Sequence, residues 1–249
     1  VVEAVGEGVD GFAPGDEVYG QVPAGGFADF VVADEAMLAP KPAGLSEEEA
    51  AAIPLAGVTA LQALRDHGGA GEGTRILING ASGGVGTFAV QIGKHLGSEV
   101  TGVCSTRNVD LVRSLGADHV VDYTSDDFTA EADRYDLILD LVGNRPLRHL
   151  RRALAPGGAY LSGHGEPEHR WLGPILFLLR LSFLKLFTRE HLSMFLARLS
   201  AADLRTLGEM VDEGSLRPVV DRSFPLEQVA DAFRYLETWH ASGKVAITF

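Results

Sequence analysis

The chain has 249 residues, 46% of them hydrophobic, and its 21 basic and 34 acidic side chains give a formal charge of −13. That length buries a sizeable core without staples, and a single cysteine, Cys104, excludes an intrachain disulfide or a four-thiolate zinc site and suits a reducing, cytoplasmic setting. The acidic balance and the absence of basic clusters argue against nucleic acid or an anionic membrane surface as partner.

Up to about residue 42 the sequence is punctuated by glycine and proline, and residues 27–32 have the character of a short strand. Leu45-Ser46-Glu47-Glu48-Glu49 supplies a staple residue, an N-cap and an N3 glutamate, which predicts a helix that stops near Pro54. A second helix is expected over residues 58–66. From Arg75 onward strands and helices alternate, the pattern of a parallel sheet covered on both faces. Strands are expected at 75–79, 100–104, 119–121, 136–142 and 159–162. Val85, Ala89, Ile92 and Leu96 fall on one stripe of a helix that Gly97 closes, and a helix over 109–115 is closed by Gly116. The apolar run 171–187 is short for a membrane span and carries Pro174, Arg180 and Lys185, so it reads as a buried or pocket-lining helix. A helix over 201–212, an amphipathic helix bearing Leu226, Val229, Ala230, Phe233 and Leu236, and a closing strand over 244–249 complete the chain.

The simplest layout places a doubly wound parallel α/β domain, residues 57–212, inside a small β-rich domain made of the two chain ends, 1–56 and 213–249. The chain opens at Val1 in what reads as mid-strand, without a methionine, and this start suggests a fragment.

Glycine makes up 30 of the 249 residues, above the usual share, and it is clustered. The most informative cluster is Asn79-Gly80-Ala81-Ser82-Gly83-Gly84-Val85-Gly86, between a predicted strand and an amphipathic helix. Such a turn aims unpaired N–H groups and the positive end of a helix dipole at one point, where a pyrophosphate can sit. Glycine is needed because a Cβ would block either the turn or the phosphate. In this setting the motif predicts a dinucleotide site, the plainer alternative being glycines that merely serve tight packing. About twenty residues further on, where an NAD site carries a carboxylate for the ribose hydroxyls, the chain reads Cys104-Ser105-Thr106-Arg107. Two hydroxyls and a guanidinium suit a 2′-phosphate, which favours NADP(H). A solvated surface charge is the plainer alternative for Arg107 taken alone.

Gly57-Val58-Thr59-Ala60, the glycine turn, Ser114-Leu115-Gly116-Ala117-Asp118 with Asp122-Tyr123, Asp140-Leu141-Val142-Gly143, Leu154-Ala155-Pro156-Gly157-Gly158 and Gly243-Lys244-Val245 together resemble the zinc-independent quinone oxidoreductase branch of the medium-chain dehydrogenase/reductases. The resemblance runs in order over nearly the whole chain, and the family has several dozen further residues before the segment matched by Val1. It implies a Rossmann domain inserted into a GroES-like catalytic domain truncated at its N-terminus, and a homodimer when complete. By the same resemblance Ser82, Gly83, Gly84 and Val85 would hold the pyrophosphate, and Ser105, Arg107 and Tyr123 would surround the 2′-phosphate. Thr59, Val142, Ser162 and Gly163 would border the nicotinamide side, and Lys244 would approach the coenzyme from the closing strand. Tyr123 as a half-buried core tyrosine, Thr59 as a helix-start hydroxyl and Lys244 as a surface charge are the bland alternatives.

Zinc alcohol dehydrogenases belong to the same superfamily, and their catalytic cysteine stands four residues before the position of Thr59. This chain has Leu55 there, which cannot ligate zinc, and its eight histidines show no ligand spacing, so no metal is expected. Without a Lewis acid, easily reduced acceptors are favoured: quinones and α,β-unsaturated carbonyls. The reading is an NADPH-dependent oxidoreductase acting on such small molecules, with no catalytic side chain assignable. The alternatives are an NADPH-binding protein without turnover and a zinc-free NADP-dependent alcohol dehydrogenase. Ser82 lacks the glycine two residues before it that a nucleophile elbow requires, which argues against a hydrolase, and Cys104 reads as a small packing residue.

Overall fold

A computed structural model describes residues 1–163 and 190–249, so the apolar run 171–187 lies outside the described residues. The chain divides into two compact units, one made of Val1–Thr59 with Ala197–Phe249 and the other of Ala60–Leu196.

In the first unit a short antiparallel pair, β1 (Val18–Gly20) and β2 (Leu38–Pro40), precedes helix α1 (Glu47–Ala52). The α1 start follows from its side chains. Ser46 Oγ accepts from the Glu49 amide at 3.2 Å and Glu49 Oε2 accepts from the Ser46 amide at 2.9 Å, so two otherwise orphaned donors are satisfied reciprocally. Helix α2 (Pro54–Gln62) begins four residues earlier than residue 58, because proline ends one helix and also suits the first position of the next, where no N–H is needed.

The second unit holds a sheet of six strands: β3 (Arg75–Asn79), β4 (Glu99–Cys104), β5 (His119–Asp122), β6 (Tyr135–Asp140), β7 (Leu154–Ser162) and β8 (His191–Met194). Their order is β5-β4-β3-β6-β7-β8 and every neighbouring pair is parallel, the doubly wound arrangement. The order in which strands are added switches sides between β3 and β6, while every strand keeps the same direction. These two strands are apolar runs, with Ile76, Leu77, Ile78, Leu137, Ile138 and Leu139 all fully buried, as expected when both faces are covered. Helix α3 (Gly86–His95) buries Phe88, Ala89, Val90 and Ile92 and ends before Gly97, whose φ of +82° suits glycine. A Cβ on Gly93 would stand 2.9 Å from Val100 Cγ2, so α3 rides close on β4. Helix α4 (Val109–Ser114) connects β4 to β5, and α5 (Leu147–Ala153) connects β6 to β7.

The first unit resumes with α6 (Ala201–Asp212), β9 (Val220–Pro225), α7 (Val229–Glu237) and β10 (Lys244–Thr248), the last pairing in parallel with β9. Two expectations need correction. Residues 27–32 form no strand: they have no pairing partner among the described residues, and Phe30 and Val32 are 75% and 96% exposed. Helix α6, placed by the sequence with the parallel domain, belongs to the unit of the chain ends. The Tyr19 hydroxyl donates to the Leu204 carbonyl, and Gly208 faces Pro42 closely. No helix among the described residues is long and apolar enough to cross a membrane.

Candidate functional site

The glycine turn lies at the carboxyl end of β3, at the point where the strand order switches sides. Gly80 has φ +91°, and a Cβ there would meet Val142 Cγ2 at 2.8 Å. Gly86, the first residue of α3, is tighter still: its Cβ would stand 2.0 Å from the Gly80 carbonyl oxygen and 2.8 Å from the Ala81 backbone. Glycine at 86 therefore lets the helix start directly against the strand end. The Gly83 amide is used internally, donating to Gly80 O at 3.0 Å. Among the described residues the amides of Ser82, Gly84 and Val85 donate to nothing, and these residues are only part-buried. Three free donors at the start of α3 suit a diphosphate, with the helix dipole adding to the attraction.

Residues from β4 and β5 gather beside this turn. The Tyr123 amide donates to Cys104 O at 3.1 Å, which sets Tyr123 next to the strand end that leads into Ser105 and Arg107. Arg107 is exposed and Tyr123 is 45% exposed, so both are open to solvent at this edge. Asp122 lies at the same edge, where the Thr106 hydroxyl and the Thr124 amide and hydroxyl, the latter two at 3.0 and 2.7 Å, hold its carboxyl below its ordinary value. Cys104 is 2% exposed, and burial, with the Asp122 charge, pushes its thiol up to about 11, which keeps it protonated and inert. Asn108, which the sequence reading did not single out, donates from Nδ2 to Ser82 Oγ at 2.9 Å.

A second residue the sequence reading passed over organises the other side of this switch point. Asp140 ends β6 and is completely buried. Its Oδ1 accepts from Asn79 Nδ2 at 2.8 Å, from the Val142 amide at 3.1 Å and from the Gly143 amide at 2.9 Å, while Oδ2 accepts from the Tyr160 hydroxyl at 3.1 Å. The carboxylate thus folds the 141–143 turn back over the strand end and leaves Val142 46% exposed at the rim. Gly163 joins the same rim, its amide donating to Asp140 O at 2.9 Å, whereas Ser162 is fully buried beside it. The signal was present in the sequence: Asn79 and Asp140 are polar ends of two apolar strands and stand side by side in the register.

Ten of the twelve expected site residues therefore come to the carboxyl edge of one parallel sheet: Ser82, Gly83, Gly84, Val85, Ser105, Arg107, Tyr123, Val142, Ser162 and Gly163. Thr59 and Lys244 belong to the other unit. The Thr59 hydroxyl donates to Leu55 O at 2.6 Å within its own helix. Lys244 opens β10 after Gly243, whose φ is +97°, at a break in the pairing register. Burial pushes its pKa down, and among the described residues it meets no carboxylate. Leu55 is 55% exposed, and no group of three or more His, Cys, Asp or Glu side chains among the described residues could hold a metal ion.

Comparison with known proteins places the chain in a family. A family model described as zinc-binding dehydrogenase matches residues 115–247, more than half of the chain. A chloroplast envelope quinone oxidoreductase homolog of Arabidopsis thaliana is 33% identical over 99% of this chain and 76% of its own length. The NADPH-dependent alkenal/one oxidoreductase of the same plant, a chloroplastic protein, is 34% identical over 99% of this chain and 61% of its own length. Among solved structures, an NAD-dependent alcohol dehydrogenase superposes with a TM-score of 0.82 and 32% identity, covering 100% of this chain and 80% of that one. With its fold, its glycine turn and these relatives in agreement, the chain belongs to the zinc-binding dehydrogenase family, in the quinone oxidoreductase branch of the medium-chain dehydrogenase/reductases.

Proposed function

We propose that this chain binds NADPH at the carboxyl edge of the six-stranded sheet and reduces quinones or α,β-unsaturated carbonyls without a metal. The observation that carries the reading is the trio of amides at Ser82, Gly84 and Val85, at the head of α3, that have no acceptor among the described residues, a cradle whose chemistry fits a diphosphate. Ser105, Arg107 and Tyr123 would hold the 2′-phosphate, and Val142 with Gly163 would flank the nicotinamide side. The coenzyme, when bound, supplies the hydride. The protein's part is to orient it, to exclude water and to place the acceptor. Leu55, an alkyl side chain where zinc members have their cysteine, supports metal independence, and acceptors that delocalise incoming charge fit a site without a Lewis acid.

The test is steady-state NADPH oxidation with 1,4-benzoquinone and with a short 2-alkenal, on protein treated with chelator. Turnover with either acceptor supports the proposal, and zinc-dependent activity or the lack of any coenzyme binding overturns it. The likeness to an alcohol dehydrogenase favours one second reading, metal-free alcohol oxidation, which would appear as alcohol-dependent reduction of NADP+. Tight NADPH binding without turnover on any acceptor would instead identify a coenzyme-binding protein.

A further inference from the structure

We infer that Asn108 is a positioning residue for the phosphate cradle, acting through the hydroxyl of Ser82, a role that rests on the coenzyme reading above. The inference comes from accounting for one proton. Asn108 Nδ2 stands 2.9 Å from Ser82 Oγ and can only donate, so the serine oxygen is the acceptor in that bond. A hydroxyl has one proton and two lone pairs. With a lone pair already engaged by Asn108, the Ser82 proton is left to donate elsewhere, and among the described residues it has no acceptor. The free amides of Ser82, Gly84 and Val85 lie in the same turn. Asn108 thereby converts Ser82 from an ambivalent group into a committed donor, and a diphosphate oxygen is the acceptor that such a donor suits.

The position of Asn108 makes the device specific. It closes the short helical turn Thr106–Asn108, with its amide on Ser105 O at 2.9 Å, and its side chain is buried rather than solvated. The turn that presents Arg107 toward a 2′-phosphate therefore also sets the polarity of the pyrophosphate cradle. Because these are different phosphates, the two neighbours should have separable effects: Arg107 on the choice between coenzymes, Asn108 on both coenzymes alike.

The experiment measures NADPH and NADH dissociation constants by calorimetry for the wild type, Asn108→Ala, Ser82→Ala, the double variant and Asn108→Asp, with thermal unfolding of each free protein. Each alanine variant is expected to weaken both coenzymes by about 10-fold, the scale of one hydrogen bond to a charged group. The double variant should fall well short of the roughly 100-fold loss that independent effects would give, because both changes remove the same donor. Asn108→Asp keeps the shape but accepts the Ser82 proton instead of freeing it, so it should bind more weakly than Asn108→Ala. It also serves in place of the alanine variant if that fails to fold. Additive losses, an unaffected Asn108→Ala, or an Asn108→Asp that binds like the wild type would each overturn the inference. A wild type that binds neither coenzyme would overturn the coenzyme reading itself, and is distinguishable because no variant is needed to see it.

Discussion

Tyr160 and Asp140 share a buried hydrogen bond, hydroxyl to Oδ2 at 3.1 Å, near the carboxyl ends of β6 and β7. Together with Asn79 and the amides of Val142 and Gly143, this gives one fully buried carboxylate four donors. Removing it takes a fully buried acceptor from all four at once, and hydrogen bonds lost to a charged group are costly. Asp140→Ala is expected to lower unfolding stability by about 3 to 5 kcal/mol, the scale of breaking a buried charged network. Tyr160→Phe removes one donor of four and should cost about 1 kcal/mol. Urea denaturation of the three proteins measures both, and equal losses for the two variants would show that the carboxylate is not the hub.

Gly86 offers a sharper geometric test. A methyl group there would collide with the Gly80 carbonyl oxygen at 2.0 Å and with the Ala81 backbone, and neither neighbour is a flexible side-chain end that can move aside. Gly86→Ala should force α3 away from β3, costing about 3 kcal/mol or more and dispersing the free amides of the turn. Gly83 has only the Gly80 carbonyl oxygen at 3.4 Å from its Cβ position, an ordinary contact. Gly83→Ala should therefore keep the unliganded protein stable while weakening coenzyme binding. Unfolding midpoints and NADPH titrations of the two variants, read side by side, separate packing from ligand approach.

Arg107 tests the choice of coenzyme. It is exposed, so its bond to a 2′-phosphate competes with water and salt, and the lower end of the charged hydrogen-bond range applies. Arg107→Ala should weaken NADPH by about 10-fold at low ionic strength and leave NADH nearly unchanged. Equal losses for both would contradict the 2′-phosphate assignment.

What the sequence could and could not reveal follows from how local each feature is. The α1 cap, the α3 stripe and the strands β3, β4 and β5 are written in contiguous side chains, and each was legible to within a residue or two. Strands β1 and β2 are three residues each and exist only because they pair across 17 intervening positions, so no window of sequence announces them. The amphipathic face of α6 shows that something covers it, but only the Tyr19 contact, 185 residues away in the chain, shows which unit does. The site divides in the same way. Glycines that a turn requires are visible as letters, whereas Asn108 acquires its meaning from a serine 26 residues earlier, brought beside it by the pairing of β3 with β4.

The pH dependence of stability has a traceable contributor at the opposite end of the same sheet. Arg75 grips Asp136 with Nε on Oδ2 at 3.0 Å and a terminal nitrogen on Oδ1 at 2.8 Å, and the Arg75 amide adds a third bond at 2.9 Å. The guanidinium hydrogen bonds, opposed in part by desolvation, hold the Asp136 carboxyl below its ordinary value. A carboxyl whose pKa is lowered on folding adds stability that is complete above its unfolded value, about 3.9. That stability is lost as the pH falls through the lower, folded value, because the unfolded chain takes up the proton first. Both side chains are more than a third exposed, at 36% and 40%, so solvent screening limits the pair to about 1 kcal/mol. Asp136→Asn should therefore be slightly less stable than the wild type at pH 7, and the two urea midpoints should converge as the pH is lowered from 5 toward 2. A gap that stays constant across that range would mean that packing or the backbone bond, rather than the ionised pair, accounts for the difference.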